Sequence, residues 1–301
     1  MNMTATAASL APVPAAAEPV ERSPGFWSGV GRKLMRDPVA LGAGAVLLIL
    51  IVMAIFAPML VPSDPYATSM FKRLKPIGIE GFPLGSDELG RDMLSRLMLG
   101  TRLSLFMGIT PVLIAFVIGS GIGILAGYAG GLVNTLIMRT IDILYAFPSV
   151  LLAIALSGAL GAGIGNALLS LTIVFIPQIA RVAESVTTQV RGRDYVEAAR
   201  ASGASPFTIV RVHVLGNVLG PIFVFATSLI AVSMILASGL SFLGLGVRPP
   251  EPEWGLMLNT LRTAIYTQPW VAALPGVMIF ITSISFNLLS DSLRSAMDVK
   301  S

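Results

Sequence analysis

Five stretches of the chain contain no Asp, Glu, Lys or Arg, and their lengths limit what the chain can fold into. They lie between Asp37 and Asp64, Arg102 and Arg139, Asp142 and Arg181, Arg211 and Arg248, and Arg262 and Asp291. A helix that crosses a bilayer needs about 20 apolar residues. Charged residues make up only 12% of the chain, against about 25% in soluble domains. Too little polar surface remains for a water-soluble globule, so the sequence predicts a membrane protein.

The charge-free stretches predict an all-α membrane protein with six transmembrane helices. The first and last stretches fit one helix each, whereas the second and third are too long for one helix and too short for two complete ones. Gly-rich breaks interrupt both, at residues 127–131 and 157–166, and glycine favours turns because it accepts positive φ without strain. The predicted helices lie near residues 39–61, 103–126, 132–157, 165–187, 218–243 and 271–292.

The segments outside the helices complete the predicted organisation. Residues 1–38 are expected to be a disordered cytosolic tail, because residues 4–19 are rich in Ala and Pro and have little to bury. Residues 62–102 would form a periplasmic segment with an amphipathic helix that begins at Ser86. A five-helix core would occupy residues 103–292 and a cytosolic tail residues 293–301. Lys and Arg are somewhat more frequent in the segments that this order places inside, so both termini are expected in the cytoplasm.

Two charged pairs lie within the predicted spans. Arg139 and Asp142 are three residues apart in the third span, and Arg181 and Glu184 have the same spacing in the fourth. Residues at i and i+3 share a helix face. We therefore expect two structural ion pairs near helix ends, where pairing lowers the cost of charge at the membrane boundary.

Composition excludes most catalytic chemistry. The chain has no cysteine and one histidine, so thiolate chemistry and Cys- or His-based metal sites are excluded. No lysine follows a glycine, so the chain lacks a nucleotide-binding P-loop. The net charge is +4, but the basic residues form no stripe with aromatic residues, so no nucleic-acid partner is expected.

Residues 191–217, between the fourth and fifth predicted spans, encode two short helices. Asp194 and Glu197 have the spacing of a capping box, and Gly203 suits the left-handed residue that ends a helix. The Ser-Pro pair at 205–206 can start the second helix. The apolar face of such a helix pair could be covered by the bilayer surface, by the chain's own helices or by a groove on a partner. The residues alone leave these three alternatives open.

This loop resembles the EAA loop of binding-protein-dependent ABC import permeases. The resemblance rests on Glu197-Ala198-Ala199, Gly203, His213-Val214-Leu215 and Asn217. It implies the type I ABC importer permease fold, and a coupling helix that docks on an ATPase subunit. The residues implied in coupling are Tyr195, Glu197, Ala198, Ala199, Arg200, Gly203, Ala204 and Pro206. Gly216 stands where this family usually has Pro, a departure that could loosen the entry into the fifth span.

Further blocks resemble the dipeptide/oligopeptide/nickel permeases, and their order resembles the C-type subunit. They are Pro83-Leu84-Gly85-Ser86-Asp87, Gly90-Arg91-Asp92, Gly100 to Ser104, Ala126-Gly127-Tyr128, Phe147-Pro148, Leu240 to Gly246, Pro249-Pro250 and Trp254-Gly255. The resemblance implies a non-catalytic subunit in the inner membrane. Its partners would be a B-type permease, two ATP-binding-cassette ATPases and a periplasmic solute-binding protein. The ATPases would bind ATP and Mg, and this chain would bind no cofactor.

The sequence leaves some functional questions open. The solute is a dipeptide, an oligopeptide, a nickel chelate or a related compound, and the residues that line the pore are not identified. Whether the two ATPases are identical also stays open. The alternatives are a stand-alone secondary transporter or channel, and a membrane-embedded hydrolase. Proton-coupled transporters usually carry Asp, Glu or His deep in the membrane, and the centres of the predicted spans lack them.

Overall fold

The structure is a computed structural model, and it describes residues 26–297. Within that range the regular structure is helical, apart from two isolated β-bridges, which confirms the predicted all-α class. The helices are α1 (Phe26–Leu34), α2 (Pro38–Leu60), α3 (Met93–Ala129), α4 (Gly131–Tyr145), α5 (Ser149–Leu160), α6 (Ile164–Arg191), α7 (Asp194–Ala201), α8 (Pro206–Ile209), α9 (Leu215–Phe242), α10 (Trp254–Thr260) and α11 (Pro269–Met297). A π-helical turn, Val210–Val214, joins α8 to α9.

Five helical segments of residues 26–297 are long and apolar enough to cross a membrane: α2, α3, α6, the run Pro206–Phe242, and α11. Helices α4 and α5 form a sixth candidate span, but they are bent by 84° at the break between them. The third span was predicted as one helix over 132–157, and this is wrong. Pro148 lies at the break, and it disfavours helical geometry at Phe147 before it and cannot donate a backbone hydrogen bond.

The predicted N-terminal tail also needs correction. Helix α1 lies inside the range 1–38 that was predicted to be disordered, and it contacts α11. Asp37 then caps α2, because its carboxylate accepts the backbone N–H of Val39 at 2.9 Å. Residues 1–25, the greater part of the predicted tail, lie outside the described range. Helix α11 continues to Met297, five residues beyond the predicted end at 292.

Helix α3 packs most extensively against α6, and three glycines allow this contact. Gly119, Gly123 and Gly127 follow one another at each turn on the face of α3 that meets α6. A Cβ atom added at any of them would lie less than 3.0 Å from a backbone oxygen of α6. Small residues at this spacing let helix backbones approach closely in membranes. The contacts advance in the same direction along both helices, from Ile176 opposite Gly119 to Glu184 opposite Gly127, so α3 and α6 run parallel and in close contact through the centre of the bundle.

One end of the bundle carries a folded cap, which comprises residues 61–92 and 243–268. The sequence predicted an amphipathic helix beginning at Ser86, and the structure has none there. The Ser86 hydroxyl instead binds within the cap, donating to the Lys72 carbonyl and accepting the Lys75 N–H. Gly85 and Gly90 turn the chain with φ of +78° and +74°. The helix begins later, where Asp92 caps α3 by accepting the Ser95 N–H at 2.9 Å.

Buried charges hold the cap together. The Asp87 carboxylate lies 2.6 Å from the Arg91 guanidinium and 3.3 Å from that of Arg96 on α3. Glu253 caps α10 by accepting the N–H groups of Gly255 and Leu256, each at 2.9 Å. Burial raises the pKa of the Glu253 carboxyl. The Asp87 and Glu253 carboxylates thus find hydrogen-bond partners inside the protein, as polar groups removed from water usually do.

Replacing Gly123 with Val is expected to separate α3 from α6 and to destabilise the fold. The added side chain would meet the Ala183 side chain and the backbone of α6. Overpacking of this kind costs about 1–3 kcal/mol, so the thermal unfolding midpoint of the detergent-solubilised protein should fall. Gly121→Val is the matched control, because no atom lies within 4 Å of a Cβ added at Gly121. Equal midpoints for the two variants would contradict this account of the contact.

Replacing Glu253 with Leu is expected to destabilise the cap. The variant leaves the N–H groups of Gly255 and Leu256 buried without an acceptor, which costs about 1–3 kcal/mol. Glu253→Gln keeps a side-chain carbonyl acceptor and resembles the protonated carboxyl, so its loss should be smaller. Thermal unfolding of both variants at neutral pH measures the difference. Equal destabilisation by the Gln and Leu variants would show that the capping hydrogen bonds do not account for the stability of the cap.

Candidate functional site

Helix α7 projects from the end of the bundle opposite the cap, and one buried side chain anchors it. Val196 has no exposed surface and belongs to the hydrophobic core, with Ala199 and Ala204 packed beside it. The helix begins at Asp194, and Arg193 is its N-cap residue without a side-chain capping bond. The predicted capping box, with Asp194 as the cap, is therefore wrong. Asp194 is already helical, and the Glu197 N–H bonds to the Arg193 carbonyl at 3.2 Å.

Gly203 ends α7 in the left-handed conformation, as the sequence predicts. Its φ is +82°. Its N–H bonds to the Arg200 carbonyl at 3.0 Å, and the Ala204 N–H bonds to the Ala199 carbonyl at 3.1 Å. This pair of bonds is the Schellman motif. The next helix starts as predicted, with Ser205 accepting the Thr208 N–H at 3.2 Å and Pro206 at the first position.

The side chains predicted to take part in coupling form an exposed surface, which we call the loop surface. Its members are Tyr195, Glu197, Ala198, Arg200, Gly203, Pro206 and Phe207, all exposed, with Ala199 and Ala204 half-buried behind them. Phe207 was not among the predicted coupling residues, and 74% of it is exposed. An aromatic side chain directly after a Ser-Pro helix start is the signal that could have identified it, because α8 is too short to bury more than Ile209.

A second set of contacts connects α7 to the long helix that follows. The Tyr195 and His213 rings lie 6.2 Å apart between centroids. His213 belongs to the π-helical turn, and its carbonyl accepts the Asn217 side-chain amide at 2.7 Å. Gly216, where the sequence departs from the resembled family, lies inside α9, and the helix continues through it without a break. The loop surface is therefore joined to a helical run that ends at Phe242.

The charged residues of the spans pair differently from the prediction. Arg181 on α6 lies 3.6 Å from Asp142 on α4. Glu184 instead accepts hydrogen bonds from Asn134 at 2.6 Å and from Thr188 at 3.1 Å. Arg139 is exposed, and within residues 26–297 it forms no ion pair shorter than 4.0 Å. The i, i+3 spacing was misleading because α4 packs beside α6, which brings Asp142 to Arg181.

The Arg181–Asp142 pair lies beside the break between α4 and α5. The Arg181 guanidinium also lies over the Tyr145 ring, 4.7 Å from its centroid. A cavity of about 270 Å³ opens there, and Tyr145, Ser149 and Gln178 contribute polar groups to its lining. Among the described residues, no group of three or more His, Cys, Asp or Glu side chains is placed to hold a metal ion.

Two models of known protein families match the chain. The family model described as the binding-protein-dependent transport system inner membrane component matches residues 119–300. The model described as the N-terminal TM domain of oligopeptide transport permease C matches residues 25–76.

Individual proteins support this match. The chain is 42% identical over 293 residues to the glutathione transport system permease protein GsiD of Pectobacterium atrosepticum, with 97% of each chain covered. It is 41% identical to the di/tripeptide transport system permease protein DppC of Pseudomonas aeruginosa, with 91% of each covered. A solved structure of the MetNI methionine ABC transporter in an inward-facing conformation shares the fold, with a TM-score of 0.56 at 21% identity, covering 68% of this chain and 97% of that chain. The chain therefore belongs to the inner membrane components of binding-protein-dependent transport systems, the permease subunits of ABC importers, and is of the C type.

Proposed function

We propose that this chain is the C-type permease subunit of an ABC importer that moves dipeptides, oligopeptides or related small solutes such as glutathione into the cytoplasm. The observation that carries the proposal is similarity over nearly the whole chain to permeases named for glutathione and for di- and tripeptides. The chain itself performs no catalysis. Its sequence contains no P-loop, which is consistent with ATP hydrolysis by separate subunits.

The proposed complex contains a B-type permease, two ATPase subunits and a periplasmic solute-binding protein. ATP and Mg would be bound by the ATPases. The loop surface supports an ATPase contact, because exposed aromatic and charged side chains lie on a short helix that Val196 fixes to the core. The excess of Lys and Arg in segments on this side supports a cytoplasmic location for the loop surface and for both termini.

The contacts around α7 suggest how docking could move the spans. Val196 is buried and the Tyr195 ring contacts His213, so a displacement of α7 would also displace the start of the run Pro206–Phe242. Closure of the ATPases on ATP would then favour one of two packed arrangements of the helices. This is alternating access, in which a ligand with unequal affinity for two states shifts their populations.

Replacing Gly203 with Val is expected to weaken ATPase recruitment. No atom lies within 4 Å of a Cβ added there, so the effect arises from the left-handed backbone, which costs about 1–2 kcal/mol for a residue with a Cβ. The ratio of ATPase to permease after purification should fall, as should solute uptake. Gly192→Val is the control, since Gly192 is exposed with φ of −87°. Normal recruitment by the Gly203 variant would overturn the proposed role of this loop.

Gentle purification of the tagged chain from native membranes tests the proposed complex. We expect a second permease and P-loop ATPases to co-purify. In proteoliposomes, with the binding protein added, ATP should drive uptake of a radiolabelled dipeptide or of glutathione. A chain that purifies alone in several mild detergents, with uptake that needs no ATP, would instead indicate a secondary transporter.

A further inference from the structure

The break between α4 and α5 lies deep within the bundle. Helix α4 starts at Gly131, and Tyr145 lies about 21 Å further along it at 1.5 Å per residue. On the neighbouring helix, Gln178 lies about 20 Å from Arg191 by the same measure. The two starting points are adjacent, because the Arg191 guanidinium donates to the Gly127 carbonyl at 3.4 Å. Measured along either helix, the cavity lies about 20 Å from this end of the bundle, which is inside the span of a hydrocarbon layer about 30 Å thick. Arg181 and Asp142, which border it, therefore do not lie at the membrane boundary, where the sequence prediction placed them.

The groups at this depth are polar and open to the side of the subunit. The side chains of Arg181 and Asp142 are 48% and 41% exposed, and Tyr145 is 51% exposed. Ionisable residues within membranes face a bundle interior or a water-filled cavity, and non-helical backbone at this depth is tolerated only in the same places. The face that carries the break is therefore turned away from lipid.

The cavity and the ion pair that borders it together offer the groups needed to bind a zwitterion. The cavity lining contributes a phenol and an amide, on Tyr145 and Gln178. At its edge, where the Arg181 guanidinium lies 4.7 Å from the Tyr145 ring centroid, one cation and one anion are held to each other by a single half-exposed contact of 3.6 Å. The Gln178 amide nitrogen donates to the Val174 carbonyl at 3.4 Å, and the side-chain carbonyl oxygen can accept a hydrogen bond from a ligand. A peptide carries a carboxylate, an ammonium and amide groups that match this set.

We propose that the α4–α5 break is a peptide-contacting site on the translocation pathway. Arg181 would bind the carboxylate of the passing peptide and Asp142 its ammonium, and the two would pair again after the peptide leaves. The Tyr145 ring orients the guanidinium, and Gln178 bonds the peptide amide. This proposal rests on the proposed function, because it assumes that a peptide passes through this subunit.

Cysteine labelling tests whether the site faces water. The chain contains no cysteine, so single replacements report on one position each. In the assembled complex in membranes, Tyr145→Cys and Gln178→Cys should react with a small, positively charged, water-soluble thiol reagent. Ile143→Cys is the matched control, because Ile143 is 65% exposed on the same helix but lies outside the cavity lining. Absence of labelling at both cavity positions would show a lipid or subunit contact and overturn the proposal.

Charge variants test the chemistry of the site. Arg181→Gln and Asp142→Asn should each lose ATP-driven uptake of a radiolabelled alanyl-phenylalanine, while binding by the binding protein stays unchanged. Arg139→Gln is the control, one turn away on α4 and outside any described ion pair. If the pair is only structural, exchanging both charges, Arg181→Asp with Asp142→Arg, would restore uptake as well as assembly of the complex. We expect the exchange to restore assembly but not uptake.

The two proposals fail in different ways. Absence of ATP-driven peptide uptake by the wild-type complex would refute the proposed function. Normal wild-type uptake together with full uptake by the Arg181 and Asp142 variants, or with rescue by the charge exchange, would refute the peptide-contacting site alone.

Discussion

The close approach of α3 to α6 determines the positions of the other functional elements. Because Gly119, Gly123 and Gly127 carry no side chains, the two helix backbones lie in contact over about two turns. Apolar side chains gain little by meeting each other in lipid, so close packing of this kind holds membrane helices together. Helix α4 follows α3 and α7 follows α6. The same contact therefore brings Asp142 beside Arg181 and fixes where the loop surface emerges.

The spans were largely predictable because one physical property determines them. A segment without charges and longer than about 20 residues has few alternatives in a bilayer. The failure over 132–157 has a simple cause: hydropathy does not register a bend. Phe147-Pro148 was present in the sequence, but an X-Pro pair gives only a probable boundary. Ser86 and Asp92 are both good caps. The Ser86 hydroxyl is occupied, because it donates to the Lys72 carbonyl and accepts the Lys75 N–H, so Asp92 starts the helix.

Features of the site that depend on local sequence were predictable, whereas features that depend on neighbouring helices were not. Gly203 is left-handed because a helix must end there, and the sequence of α7 and α8 contains that information. The partner of Asp142 depends on which helix lies alongside α4, and residue spacing within one helix says nothing of this. Exposure of Phe207 likewise depends on how short α8 is. The coupling role of the loop surface was inferred from resemblance and stays a prediction.

The π-helical turn at Val210–Val214 lets the long helix that contains it accommodate one additional residue. The Leu215 N–H bonds to the Val210 carbonyl, five residues back, where a regular α-helix reaches back four. Ile209, Val214, Val218 and Ile222 are all fully or almost fully buried, although the first spacing is one residue longer than the others. The turn thus absorbs one additional residue without rotating the core-facing stripe. Loss of a single residue here, which would misalign most helices, would leave a regular α-helix with the same inward face.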